Sequence, residues 1–238
     1  VIGLVILSLV IGVLVLRETA VVGKVGVYET IEVPGELQPI HKFITDIIYD
    51  VAVDGLEIMG DNGGWISLND TSLSGQTFIT HPDPTSSEIV EFSPSNSKAP
   101  YWYFMSSPND CISLCKFSNK GRPILRSYSS DNSNRNLDDR SIEAQLDRYI
   151  ERNLADELFF ALNSLNDQGY DIEGEGDVNS VTIIGEEDLS LSVSYKVKID
   201  GPSGQGELNQ YFVRVPINLQ ELFTLADEVT NAEADSKV

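Results

Sequence analysis

Residues 1 to 16 form an uninterrupted apolar run, and this run limits what the chain can fold into. It carries no charge, and glycines at positions 3 and 12 stand among bulky Val, Ile and Leu side chains. An amphipathic surface helix is excluded because the run is apolar on every side. A helix spans a bilayer core of about 30 Å with about 20 residues, and apolar character resumes after positions 17 and 18 as far as Val27. The run therefore predicts a long hydrophobic helix over residues 1–29.

Three interpretations of this run are a cleaved secretory signal, a single-span anchor and a pilin-type subunit. A cleaved secretory signal would show basic residues before the run and small residues at a cleavage site, and the sequence shows neither. A single-span anchor and a pilin-type subunit remain, and in the pilin type the apolar helices leave the membrane and pack in a filament core. Small residues allow close approach in such a core. The expected contact residues of this assembly helix are Val1, Gly3, Leu4, Leu7, Ile11, Gly12 and Leu14.

The charge of the chain is strongly negative. Sixteen Lys and Arg residues stand against 37 Asp and Glu residues, a formal net charge of −21. Such a surface repels the phosphates of nucleic acid, so nucleic-acid binding is excluded. An acidic surface suits high salt, where screening removes most self-repulsion. A halophilic source and a simple solubilising charge excess both explain this composition.

Residues that carry metal or nucleophilic chemistry are few. The two cysteines, Cys111 and Cys115, match neither a C-x-x-C redox motif nor half of a zinc site. Outside the cell they are expected to close a small disulfide loop, and two unpaired buried thiols are the alternative. His41 lies on a predicted helix and is assigned a structural role, and no motif surrounds His81. We expect no catalytic residue, no metal site and no cofactor.

Residues 30–137 are predicted to hold one helix, which starts at Pro39, followed by irregular strands and loops. Asn69 begins an Asn-Asp-Thr acceptor sequon in a polar turn, which predicts a glycosylation site. An aromatic run includes Tyr101, Trp102 and Tyr103. These three rings are candidates for a contact platform, and a strand that covers the core with alternate rings is the alternative.

Residues 138–238 carry the clearest pattern. Apolar residues at helical spacing predict a helix from residue 141 that ends at Gly169, with Phe159 included in its buried stripe. Strict alternation over residues 189–199 predicts a strand, with further strands on either side and a final helix after Asn218. The predicted fold class is α+β. In chain order it has a long N-terminal hydrophobic helix (1–29), a helical and irregular segment (30–137), and a helix, three-stranded antiparallel sheet and helix unit (138–238).

Several stretches together carry a resemblance to a known group of proteins. They are Val33 to Pro39, Gly55 to Ile66, Pro100 to Phe104, Ser141 to Tyr149 and Val213 to Pro216. In these stretches the chain resembles single-span surface proteins of small symbiotic archaea of the DPANN lineages, and its apolar N-terminus is similar to that of archaeal type IV pilins. The resemblance implies a cell-surface location and anchoring through the N-terminus. It implies no catalytic residues.

These observations favour a structural or binding protein over an enzyme. No G-x-S-x-G, H-E-x-x-H, phosphate-loop or dinucleotide fingerprint is present. The expected function is that of a subunit in an extracellular pilus-like filament, assembled through the apolar N-terminal helix. The alternative is a membrane-anchored adhesin or receptor domain of the cell surface. The expected partners are copies of the chain, the membrane before assembly, and a host cell surface.

Overall fold

The computed structural model describes residues 33–82, 86–92, 97–107, 111–125, 138–166, 169–202 and 204–235. Four helices and seven strands lie within these ranges. The helices are α1 (Gln38–Asp61), α2 (Thr71–Ser74), α3 (Ile142–Asn166) and α4 (Leu219–Asp235). The strands are β1 (Ile89–Phe92), β2 (Ser97–Pro100), β3 (Phe104–Met105), β4 (Phe117–Ser118), β5 (Asp171–Ile184), β6 (Leu189–Gly201) and β7 (Gly204–Val215).

Helix α1 forms because its apolar residues recur at helical spacing and a proline stands at its start. Pro39 lies in the first turn, where its missing N–H costs no hydrogen bond. Ile40, Ile44 and Ile48 are buried along one face. Gly55 lies where α1 meets α3, and a Cβ there would stand only 2.8 Å from Leu146 Cδ1. The two helices therefore pack closely at this glycine.

Strands β5, β6 and β7 form an antiparallel sheet in that order. Leu189, Leu191 and Val193 of β6 are buried, and the serines between them are partly exposed. The buried side chains of the sheet join those of α1 and α3 in one core. Because α1 and α3 also contact each other, both helices cover the same face of the sheet. The structure is thus two-layered at this point, with helices on one side of the sheet.

The shorter strands lie around a second, smaller core. Strands β1 and β2 form one antiparallel pair, and β3 and β4 form another. Trp65, Phe78 and Ile89 make the buried cluster beneath them. The indole Nε1 of Trp65 donates a 2.8 Å hydrogen bond to the carbonyl oxygen of Gly121. This bond fastens the chain just after β4 to the segment that follows α1.

The fold class expected from the sequence is wrong as stated. The structure is α+β, with four helices and antiparallel sheets of two, two and three strands, and it shows no long apolar N-terminal helix among the described residues. The segment predicted as that helix, with its contact residues Val1 to Leu14, lies outside the described ranges. An apolar run indicates avoidance of water, but helix formation depends mainly on the neighbours that cover the run, and its Val and Ile residues are modest helix formers. None of the helices within the described ranges has the length and apolarity needed to cross a membrane.

Candidate functional site

The described residues show no arrangement typical of a reaction centre. Within the described ranges, no three His, Cys, Asp or Glu side chains come together as a metal site would require. His41 stacks on the buried ring of Tyr211 at 5.4 Å, which is a packing role. A crevice between Phe78 and Tyr101 holds about 10 Å³, room for one water molecule. The absence of catalytic activity stays a prediction.

The three aromatic residues predicted as a contact platform have three different partners. Tyr101 stacks on Phe104 with a centroid distance of 6.2 Å. Trp102 is partly buried against Phe223 of α4 at 5.5 Å, and its Nε1 donates to the carbonyl oxygen of Gly63. Of the three, Tyr103 alone is exposed. The structure does not bring these rings together as one surface.

A small disulfide loop presents two apolar side chains to solvent. Cys111 and Cys115 form a disulfide, and between them Ile112 is 98 % exposed and Leu114 is 97 % exposed. Leu114 also has a φ of 54°, in the left-handed region. This conformation costs a leucine about 1–2 kcal/mol, and Asn or Gly adopts it more readily. A leucine held in this conformation without contacts to the rest of the fold points to a role outside the chain.

The hairpin of β3 and β4 carries this loop and adds two exposed rings. Tyr103 and Phe117 stack at a centroid distance of 4.7 Å, diagonally across the two strands. The carbonyl oxygen of Lys116 accepts a 2.9 Å hydrogen bond from the backbone N–H of Ser106, which closes the base of the loop. We call Tyr103, Ile112, Leu114 and Phe117 the loop surface. The exposure of Ile112 and Leu114 was not predicted from the sequence, although the alternation of apolar and polar residues between the two cysteines is a usable signal.

A second exposed apolar pair lies on α3. Phe159 is 65 % exposed and Phe160 is 71 % exposed, and their rings meet edge to face at 5.7 Å. The expectation that Phe159 belongs to the buried stripe of this helix is wrong. The stripe is formed by residues four apart, among them Leu154, Leu158 and Leu162. We call Phe159 and Phe160 the phenylalanine face.

Charge is distributed very unevenly between the two sequence segments that carry these surfaces. Residues 97–126, which include the loop surface, contain five basic residues and one acidic residue, Asp110. Residues 153–195, which include the phenylalanine face, contain ten acidic residues and no basic residue. The pKa of Tyr149 is raised by burial and by the carboxylates of Asp54 and Glu157, which brings an acidic residue of α1 to the same region. Ion pairs already occupy Lys98, Lys120 and Arg122, whose partners are Glu91, Glu88 and Asp227. The cation that stands beside the loop surface is therefore Lys116.

The predicted glycosylation residue is accessible. Asn69 is exposed, and its side-chain oxygen accepts a hydrogen bond from Ser67 Oγ at 3.1 Å. The next residue, Asp70, caps α2 by accepting from the backbone N–H of Ser72 at 2.8 Å. Hydrogen bonds from Ser72 and Arg152 lower the pKa of Asp70 to about 2. The turn is thus ordered by its neighbours, and modification of Asn69 stays a prediction.

Removal of the disulfide should free the loop with little effect on the rest of the fold. In the double variant Cys111→Ser and Cys115→Ser, the free energy of unfolding should fall by no more than about 2 kcal/mol, because the closed loop is short. Chymotrypsin should cut near Leu114 and Phe117 much faster than in the wild type, as mass spectrometry of reduced fragments would show. Wild-type protein treated with a reductant should behave like the variant. Equal cleavage rates would show that the disulfide does not hold the loop.

Comparisons of the chain with models of protein families, with curated proteins and with solved structures give no match. The resemblance to surface proteins of DPANN archaea, and to archaeal pilins at the N-terminus, therefore stays a prediction.

Proposed function

We propose that this chain is a structural protein of the cell surface that assembles with other copies of itself into a filament. The observation that supports this most is the loop surface, where Ile112 and Leu114 are almost fully exposed on a loop closed by a disulfide. Contiguous exposed apolar side chains mark interaction sites on soluble domains. A surface of this kind needs a partner to remove it from water, and an assembly of copies supplies one.

The covalent closure of the loop supports a binding role. Association loses free energy when it orders mobile loops and side chains, and a loop already fixed in its bound shape avoids part of that loss. The disulfide and the hydrogen bond between Ser106 and Lys116 fix the loop surface before any partner arrives. The site is therefore suited to repeated, specific contact.

The same features support an extracytoplasmic location. Disulfides persist in oxidising compartments and are rare in the cytosol. The apolar run of residues 1–16 supports association with a membrane before assembly. The net charge of −21 keeps dispersed copies apart until screening by salt or a complementary contact overcomes the repulsion.

Electron microscopy of the full chain tests this function. The purified full chain, taken from dilute detergent through a series of rising concentrations, should form filaments of constant width above a threshold concentration. Added salt should lower that threshold, because it screens repulsion between acidic copies. A chain that stays monomeric at every concentration and salt level, and is found on cells only as dispersed monomers, would exclude the filament function.

A surface adhesin is the second candidate, since the loop surface also suits contact with another cell. The exposed Tyr103 and the two aliphatic residues of the loop would then bind a foreign surface. Cells or vesicles incubated with the full chain should retain it, and the double variant Ile112→Gln and Leu114→Asn should lose retention. Asn suits the left-handed backbone at position 114, so the variant keeps the loop conformation.

A further inference from the structure

We propose that the loop surface of one copy binds the phenylalanine face of a second copy, so that successive copies join head to tail. This inference rests on the proposed self-assembly and names the surfaces that carry it. The loop surface exposes four large side chains, of which Ile112 and Leu114 are almost fully exposed, and the phenylalanine face exposes Phe159 and Phe160. Burying such side chains against each other favours association, because it removes apolar surface from water.

Charge complementarity selects a second copy as the occupant. Lys116 lies beside the loop and is exposed, whereas Lys120 is ion-paired with Glu88. Asp156 and Glu157 lie one helical turn before Phe160 on α3, and both are exposed. Every copy of this chain carries an acidic, aromatic surface that can bind the loop. A foreign protein would need a surface of the same character to bind there instead. The basic loop and the acidic face therefore match in both charge and apolarity.

The two surfaces lie apart on the molecule, which determines the kind of assembly. The chain just after β4 meets the start of α3, where the N–H of Ile142 donates to the carbonyl oxygen of Ile124 at 2.9 Å. Phe159 lies about 26 Å further along the helix axis, at 1.5 Å per residue. An interface between two different surfaces is heterologous, and it continues from copy to copy unless the rotation closes a ring. Head-to-tail contact therefore produces a chain of subunits.

A mixing experiment tests this interface directly. The loop variant carries Ile112→Gln and Leu114→Asn, and the helix variant carries Phe159→Gln and Phe160→Gln, all at exposed positions. For each variant alone, the dissociation constant for self-association, measured by sedimentation velocity, should be about 100-fold or more above that of the wild type. An equimolar mixture should form a one-to-one dimer and stop there, since one intact interface remains between the two variants. The control Ile79→Gln, at a position 61 % exposed outside both surfaces, should assemble like the wild type.

A charge exchange tests the electrostatic part. Lys116→Glu should weaken assembly by about tenfold at low salt, and the double change Asp156→Lys and Glu157→Lys should weaken it by a similar factor. An equimolar mixture of these two variants should recover assembly, with the two variants alternating, because each loop then meets a helix face of opposite charge on the other variant. The matched controls are Lys42→Glu on α1 and the pair Glu186→Lys with Glu187→Lys, which change the net charge equally at exposed positions elsewhere. Because these controls leave both surfaces unchanged, each should assemble alone, and mixing them should bring no further recovery.

Several outcomes separate this inference from the proposed function. Filaments from the wild type and from both apolar variants would overturn the interface and leave the filament function standing. A wild type that never associates would overturn both. Loop variants that still assemble but no longer bind vesicles of anionic lipid would assign the loop surface to a membrane and overturn its role between copies.

Discussion

Replacement of Trp65 by alanine should lower the free energy of unfolding by about 3–5 kcal/mol. Trp65 is fully buried and meets Phe78 edge to face at 5.0 Å. Its Nε1 is also the hydrogen-bond partner of the Gly121 carbonyl oxygen. Truncation opens a cavity in the small core and leaves that carbonyl without its partner. Equilibrium unfolding in urea, followed by far-UV circular dichroism, measures the loss.

Two control variants separate the contributions of Trp65. Trp65→Phe keeps most of the apolar volume and should cost about 1–3 kcal/mol, mainly from the carbonyl left unpaired. Trp102→Ala removes a partly buried indole from the surface of α4 and should cost less than Trp65→Ala. Equal losses from Trp65→Ala and Trp102→Ala would show that the small core around Trp65 stabilises the fold no more than the partly buried contact of Trp102 does.

Replacement of Asp147 by asparagine should stabilise the protein above pH 6 and leave it little changed near pH 4. Asp147 lies on α3 and is buried, and Thr182 Oγ1 donates to its carboxylate at 2.7 Å. Burial raises the pKa of Asp147 to about 6, while the hydrogen bond from Thr182 opposes the rise. Glu151 raises the pKa further, and Arg148 is the nearby cation. The asparagine side-chain oxygen still accepts from Thr182.

The direction of the pH effect follows from the two states of the carboxyl group. Its pKa is about 3.9 in an unfolded chain, so well below pH 4 both states bind the proton and burial costs little. Between pH 4 and pH 6 the unfolded state loses the proton first, so the free energy of unfolding falls as pH rises. A difference of about two pKa units corresponds to about 2–3 kcal/mol, which is fully lost above the folded pKa.

Urea unfolding at several pH values from 4 to 8 tests this prediction. The wild type should lose about 2–3 kcal/mol more than Asp147→Asn across that range. Asp171→Asn, at an exposed position of β5, is the matched control and should follow the wild type. Parallel curves for the wild type and Asp147→Asn would show that the carboxyl group is not held protonated by the fold.

Local periodicity predicted the central strand of the sheet well. Alternation of apolar and polar residues over 189–199 indicated a strand with one buried face, and β6 covers Leu189–Gly201 with Leu189, Leu191 and Val193 buried. The period of two is a property of the strand itself, because successive side chains point to opposite faces. The helical period likewise predicted the buried residues of α3 that lie four apart, among them Leu154, Leu158 and Leu162.

The surfaces that carry the proposed function were not predictable in this way. Phe159 follows the buried Leu158 and was expected inside, but it is exposed because α1 and the sheet cover only the stripe four residues apart. Among the three neighbouring aromatics, the burial of Trp102 depends on Phe223, far along the chain. The tertiary contacts of the fold decide whether a residue at the edge of an apolar stripe is buried.

By itself, the sequence determined the helical and strand periods, the acidic charge and the pair of cysteines able to close a small loop, since these depend on neighbouring residues or on composition. The tertiary structure decided which apolar side chains remain exposed, and it placed a basic loop and an acidic, aromatic helix face on separate parts of the molecule. The physical reason is that burial requires contacts between residues distant in sequence. The bond from Trp65 to Gly121 crosses 56 positions, and no local pattern specifies it.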